Sequence, residues 1–168
     1  MTTFLVVVWA ALWRTAVIAV VFGFAEHAIH RYTMHKKVWG LHWSYKWHHE
    51  QHHAKQMNQA HEHLDILLAP YLIVFAVGSL FGLWRVYCGH MGGWAGIVSL
   101  GLVLTAHRLL WNSMHRCMHD TEKNWSMRLP WYKSFKRHHL EHHRHSKCNF
   151  GVVFPFVDRL LGTKSSDR

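Results

Sequence analysis

Histidine is the residue this chain holds in excess, 19 among 168 residues against nine Asp and Glu. Neutral imidazole is a ligand for transition metals, and few other roles need so much of it. Seventeen of the 19 fall in two segments, 26–63 and 115–145; only His90 and His107 lie elsewhere. On a helix, residues three and four apart share a face. His49, His52 and His53 keep that spacing, as do His139, His142 and His143, and His115 and His119 form an i, i+4 pair. His30 and His35 are five apart, which is about 140° around an ideal helix. They converge only if the helix ends, bends, or has a metal beside it. Each segment therefore offers a pair followed by a triplet. That is enough for two metal ions with about five nitrogens each.

A closed tetrahedral zinc site takes four ligands, fewer than half of this set. The three scattered cysteines, Cys88, Cys117 and Cys148, exclude a disulfide framework and a CxxC zinc site. Imidazole-rich coordination suits Fe, Zn, Cu or Ni. Two neighbouring irons can bind and reductively cleave O2 and then remove hydrogen from an unactivated C–H bond. Soluble di-iron proteins do so with Glu and Glu-x-x-His motifs in a helical bundle. Here histidine takes the place of scarce carboxylates, and a mostly apolar chain implies a lipophilic substrate reached from the bilayer.

The elements that must position these ligands are membrane spans. Three apolar stretches stand out: 4–25 with Arg14 as its one charge, 66–84 with none, and 94–111 with His107 and Arg108 near its end. About 20 apolar residues cross a bilayer. Met1-Thr2-Thr3 lacks a positive n-region, so the first stretch reads as a retained span rather than a signal peptide. Arg14 sits mid-span in this reading, facing a bundle interior or a substrate headgroup, although a shifted or locally deformed span is the favoured reading. Sixteen of the 19 Lys and Arg lie between the first two spans or after the third. The positive-inside rule makes that side cytoplasmic. Two spans separate the histidine segments, so both return to one face. The net charge of +10 is then a topology signal plus attraction to anionic headgroups, and nucleic-acid binding is excluded. The expected fold is an all-α integral membrane domain over residues 1–168, about three transmembrane helices with a cytoplasmic histidine-rich helical cap. Trp39, Trp43, Trp47, Trp125 and Trp131 flank the histidine segments as interfacial anchors. Cys117 points away from the His115/His119 face.

On these residues the chain resembles the fatty acid hydroxylase/sterol desaturase superfamily of membrane di-iron enzymes. The boxes HX3–4H, HX2–3HH, HX3H and HX2–3HH are matched by His30-x4-His35, His49-x2-His52-His53, His115-x3-His119 and His139-x2-His142-His143. The likeness runs from about Glu26 to Thr163. His139-Leu140-Glu141-His142-His143, Asn149-Phe150-Gly151 and the run from Asp158 to Thr163 are similar to the end of fatty acid 2-hydroxylases and sterol-type oxidases. The short length, His30-Arg31-Tyr32-Thr33-Met34-His35 and the spacing from His53 to Asp65 are similar to bacterial β-carotene hydroxylases. The acyl-lipid or sterol-like side is favoured, with carotenoid hydroxylation as the alternative.

What the resemblance implies is an O2-dependent hydroxylase with two Fe ions on the ten boxed histidines. Zn can replace Fe in isolated protein. Desaturation shares the first hydrogen abstraction. The chain carries no dinucleotide, haem or iron–sulfur motif, so electrons from NAD(P)H must arrive through an external carrier, ferredoxin or a cytochrome b-type protein with its reductase. Three spans are fewer than the four common in the superfamily, so a partner copy or an interfacial segment would complete the hydrophobic wall. A non-catalytic metal store or transporter is the rival class, but it would line its spans with ligands. Among the departures, His42, His48, His61, His63, His138 and His145 are extra, with His48/His52 and His138/His142 as further i, i+4 pairs. His27 lies three before His30 and competes with His35. Glu50, Asp65, Asp120 and Glu141 are the carboxylates expected to orient ligands, Asp65 first among them.

Overall fold

The structure, a computed structural model, describes residues 2–53, 68–90, 92–120 and 122–165. Among these the chain is helical and without strands: α1 (Thr2–Ala28), a π-helical segment (Ile29–Met34), α2 (His42–Tyr45), a second π-helical segment (Lys46–His53), α3 (Leu68–Tyr87), α4 (Gly92–Met118), a 3-10 turn (Trp125–Arg128), α5 (Tyr132–Arg144) and α6 (Phe156–Leu160). Three helices are long and apolar enough to cross a membrane, Val8–Met34, Leu68–Tyr87 and Gly92–Met118. The expected spans 4–25 and 94–111 are shorter than the first and third of these. Hydropathy ends a span at its first polar residues, but the backbone continues because those side chains find partners. Glu26, at the end of α1, accepts the amides of Val152 and Val153 at 2.5 and 2.9 Å. As a result His30 and His115 lie on the ends of candidate spans rather than beyond them.

The chain divides into two compact units. The first comprises residues 1–22 and 67–108. Its apolar side chains face outward: on α3, Leu72, Ile73, Val77, Leu80 and Phe81 are all more than half exposed. A surface so uniformly apolar needs a hydrocarbon surrounding. With lipid outside, hydrophobicity does not drive helix pairing, so close backbone contact and interhelical hydrogen bonds must. Gly82 and Gly93 meet so closely that a Cβ on Gly93 would lie 2.2 Å from the Gly82 carbonyl oxygen. Thr15 Oγ1 lies 3.1 Å from Ser99 Oγ, and the Tyr71 hydroxyl lies 2.6 Å from His107 Nδ1.

The second unit, residues 23–66 and 109–168, has a small apolar core of Trp111, Met114, Cys117, Met118, Tyr132, Val152 and Val153. Cys117 thus packs in this core. Asn124 caps the 3-10 turn, its Oδ1 accepting from Ser126 N at 3.0 Å while its Nδ2 donates to Ser113 O at 3.0 Å. Trp39, Trp43, Trp125 and Trp131 are exposed on this unit, as interfacial anchors would be.

Candidate metal centre

Two groups of five histidines converge in the second unit. In the first, His30, His35, His48, His53 and His142 present ring nitrogens all within 4.8 Å of one another. In the second, His52, His115, His119, His139 and His143 do the same. Each group draws on both histidine segments. The two groups adjoin, with the rings of His53 and His143 stacked at 4.2 Å between centroids.

The backbone explains how residues five apart can share a group. In a π turn the hydrogen bond runs from i to i+5, so residues five apart stack one above another. His30 lies on the first π segment and His35 caps its end, and His48 and His53 lie on the second. Both i, i+5 pairs belong to the first group. The convergence that an ideal helix would deny to His30 and His35 is supplied by local unwinding.

Nine of the ten histidines read from the sequence lie in the two groups. His49 lies in neither; its ring packs against Tyr45 at 5.0 Å. His48 is in its place, buried, its Nε2 2.9 Å from His30 Nε2 and 3.2 Å from His53 Nε2. Helical spacing picks His49-x2-His52-His53 and sets His48 aside as extra, although the box form HX2–3HH admits His48-x3-His52-His53 too. At the second triplet the same ambiguity resolves the other way. There α5 is a regular α-helix; His139 joins the group, its Nε2 3.0 Å from His119 Nε2, and His138 turns to Asp158 at 3.1 Å. His27 does not displace His35: its Nε2 meets Thr163 Oγ1 at 2.9 Å and Asp158 Oδ1 at 3.4 Å.

Three of the four carboxylates expected to orient ligands pair with cations instead. Glu50 pairs with Lys37, Asp120 with Lys136, and Glu141 with Arg144 and His145. Asp65, with His61 and His63, lies outside the described residues. Instead, backbone carbonyls do the work. His30 Nδ1 donates to Phe150 O at 2.5 Å, and His142 Nδ1 donates to Cys148 O at 2.6 Å. Between those two carbonyls stands Asn149 at φ +56°, a left-handed conformation that Asn tolerates. Its Nδ2 donates to His138 O at 3.1 Å.

Asp158 fastens this strip from below. It is fully buried and accepts from Phe150 N at 2.8 Å, Gly151 N at 2.7 Å and Thr163 Oγ1 at 2.7 Å. Burial alone would raise its pKa. The hydrogen bonds from His138, Thr163 and the two amides outweigh it and hold the carboxyl at about 2. Gly162, at φ +65° after α6, lets the chain double back so that Thr163 N reaches Asp158 O at 2.8 Å. Asp158 and Glu26, which hold the amides of residues 150 to 153, are the carboxylates that the spacing argument missed. The sequence signal for Asp158 was its place in the Asp158 to Thr163 run.

The electrostatics favour a cation. A ring whose Nδ1–H is committed to a carbonyl carries its lone pair on Nε2; His30 and His142 are so fixed. His48 Nε2 faces two other Nε2 atoms, and one N–H cannot satisfy both. Burial holds His35 down at about 2, His119 at about 3 and His142 at about 4, with neighbouring histidines adding to the first two. His48, His53, His139 and His143 are also lowered, first by burial and then by their histidine neighbours. These imidazoles are therefore neutral near pH 7, the ligating form. Five converging nitrogens in a buried group, with ring orientation set by backbone carbonyls, fit a transition-metal ion.

Comparison with known proteins agrees with this geometry. No curated protein and no solved structure matches the chain. A family model described as fatty acid hydroxylase matches residues 15–163, which take in every histidine of the two groups. The chain belongs to the fatty acid hydroxylase family.

Proposed function

We propose that the protein is an O2-dependent di-iron monooxygenase that hydroxylates a C–H bond of a membrane lipid with a fatty-acyl or sterol-like skeleton. The observation that carries this reading is the pair of five-histidine groups side by side. The proposed ligands are His30, His35, His48, His53 and His142 for one ion and His52, His115, His119, His139 and His143 for the other. Bound there, two irons would supply O2 activation and hydrogen abstraction. The chain's own part is to hold ten neutral imidazoles in place. Phe150 O and Cys148 O fix two tautomers, and the Asp158 clasp keeps those carbonyls in register. The apolar outer face of the first unit supports a substrate drawn from the bilayer. The charge bias supports a cytoplasmic active site, where a basic surface suits an acidic electron carrier, ferredoxin or a b-type cytochrome fed from NAD(P)H.

The test is expression in cells that make both carotenoids and varied acyl lipids, under isotopically heavy oxygen gas, followed by mass spectrometry of the lipids and metal analysis of the purified protein. The expected result is one labelled oxygen in an acyl or sterol-like lipid, with product and iron both lost in His142→Ala. Label in the carotenoid fraction instead would overturn the substrate class. Iron-loaded protein with no labelled lipid, given a reductase, would overturn the enzymatic reading.

A further inference from the structure

The first unit contains a groove of about 490 Å³ that the metal centre does not use. Two arginines line it, Arg14 from α1 and Arg85 from the last turn of α3, together with Gly92 and Gly93 at the start of α4. Its remaining walls are apolar, among them Phe81 and Leu100. The Arg14 guanidinium lies over Gly92, 3.1 Å from where a Cβ would stand. The Arg14 guanidinium is therefore level with the start of α4.

Charge in this unit is one-sided. Residues 1–22 and 67–108 contain Arg14, Arg85 and Arg108 and not one Asp or Glu. Among the described residues neither Arg14 nor Arg85 has an ion pair or side-chain hydrogen bond. Two guanidinium groups in one groove repel each other, and an unbalanced arginine beside hydrocarbon is costly. The groove also opens at the N-terminus of a 27-residue helix, which adds a partial positive charge. An anion would balance them, and at the end of a membrane span the anion at hand is a lipid phosphate. We propose that this groove binds an anionic phospholipid, its phosphate between Arg14 and Arg85 and the upper part of an acyl chain along Phe81 and Leu100. Guanidinium suits phosphate through paired N–H donors. At Gly92 only the Arg14 guanidinium lies near the place of a Cβ, which leaves the helix start bare for the headgroup to approach.

The test is independent of the metal. Native mass spectrometry of the detergent-purified chain is run with phosphatidylglycerol and with phosphatidylcholine of the same acyl chains. Phosphatidylglycerol should be retained preferentially, and Arg85→Gln and Arg14→Gln should each lower its occupancy about tenfold. Lys147→Gln, an exposed cation in the other unit, should leave occupancy unchanged. Arg85 is exposed, so its variant remains informative if Arg14→Gln fails to fold. Equal retention of the two lipids, or an unchanged Arg85→Gln, overturns the proposal. Displacement of the lipid by millimolar inorganic phosphate would make this a soluble-anion site and would overturn it too.

Discussion

His48 and His49 are neighbours in the chain, yet only His48 sends its Nε2 into a group. His48→Ala should lower the iron content of the purified protein and reduce lipid oxygenation by about 100-fold or more, on the scale of losing a metal-orienting contact. His49→Ala should keep both within a few-fold. The reverse pattern, read by metal analysis and product formation, would restore the α-helical spacing. Asp158 acts one step further out. It touches no ligand but holds the amides of Phe150 and Gly151, and the Phe150 carbonyl in turn fixes His30. Asp158→Asn keeps the size and loses the charge that two amides and a hydroxyl converge on. Metal affinity should fall about 10–100-fold, while excess iron restores activity. A variant that stays inactive at saturating iron would show that Asp158 does more than position.

At the scale of elements, what was legible in the sequence is what periodicity and hydropathy encode. The hydrophobic hairpin and the return of both histidine segments to one place follow from run lengths and from two spans between them. The two π segments were not legible, because an extra residue in a turn leaves no mark on composition; only the five-residue gap between His30 and His35 hinted at one. The clasp was hidden for a related reason. Glu26 and Asp158 are 132 positions apart and act through backbone amides of one short strip, and no spacing rule connects them. Helix pairing in the first unit offers its own test. Gly93 faces the Gly82 carbonyl at a distance no side chain can share, whereas a Cβ at Gly96 meets nothing within 4 Å. Gly93→Leu should destabilise the hairpin by about 1–3 kcal/mol or more. Gly96→Ala should be neutral or slightly stabilising, since alanine is the better helix former. Thermal unfolding in detergent separates the two, and equal midpoints would refute the close contact.

For the whole molecule, the histidine groups link folding to protons as well as to metal. Burial lowers His35, His119 and His142 to about 2, 3 and 4, against about 6.5 for an unfolded imidazole. The folded state therefore binds fewer protons than the unfolded state below that value. By linkage, the stability contributed by these rings is full above pH 6.5 and is lost as pH falls toward their folded values. Each fully buried imidazole such as His142 forfeits roughly 1.4 kcal/mol per pH unit in that window. A metal ion binds the same deprotonated nitrogens and so opposes the proton. Chelator-stripped protein in detergent should thus show an unfolding midpoint that drops steeply between about pH 7 and pH 5. Iron-loaded protein should hold its midpoint to lower pH before releasing iron. The triple variant His35→Ala, His48→Ala, His142→Ala should show a shallower pH slope without metal, because the rings that refuse protons are gone. A slope unchanged by that triple replacement would mean that the acid sensitivity arises elsewhere in the fold.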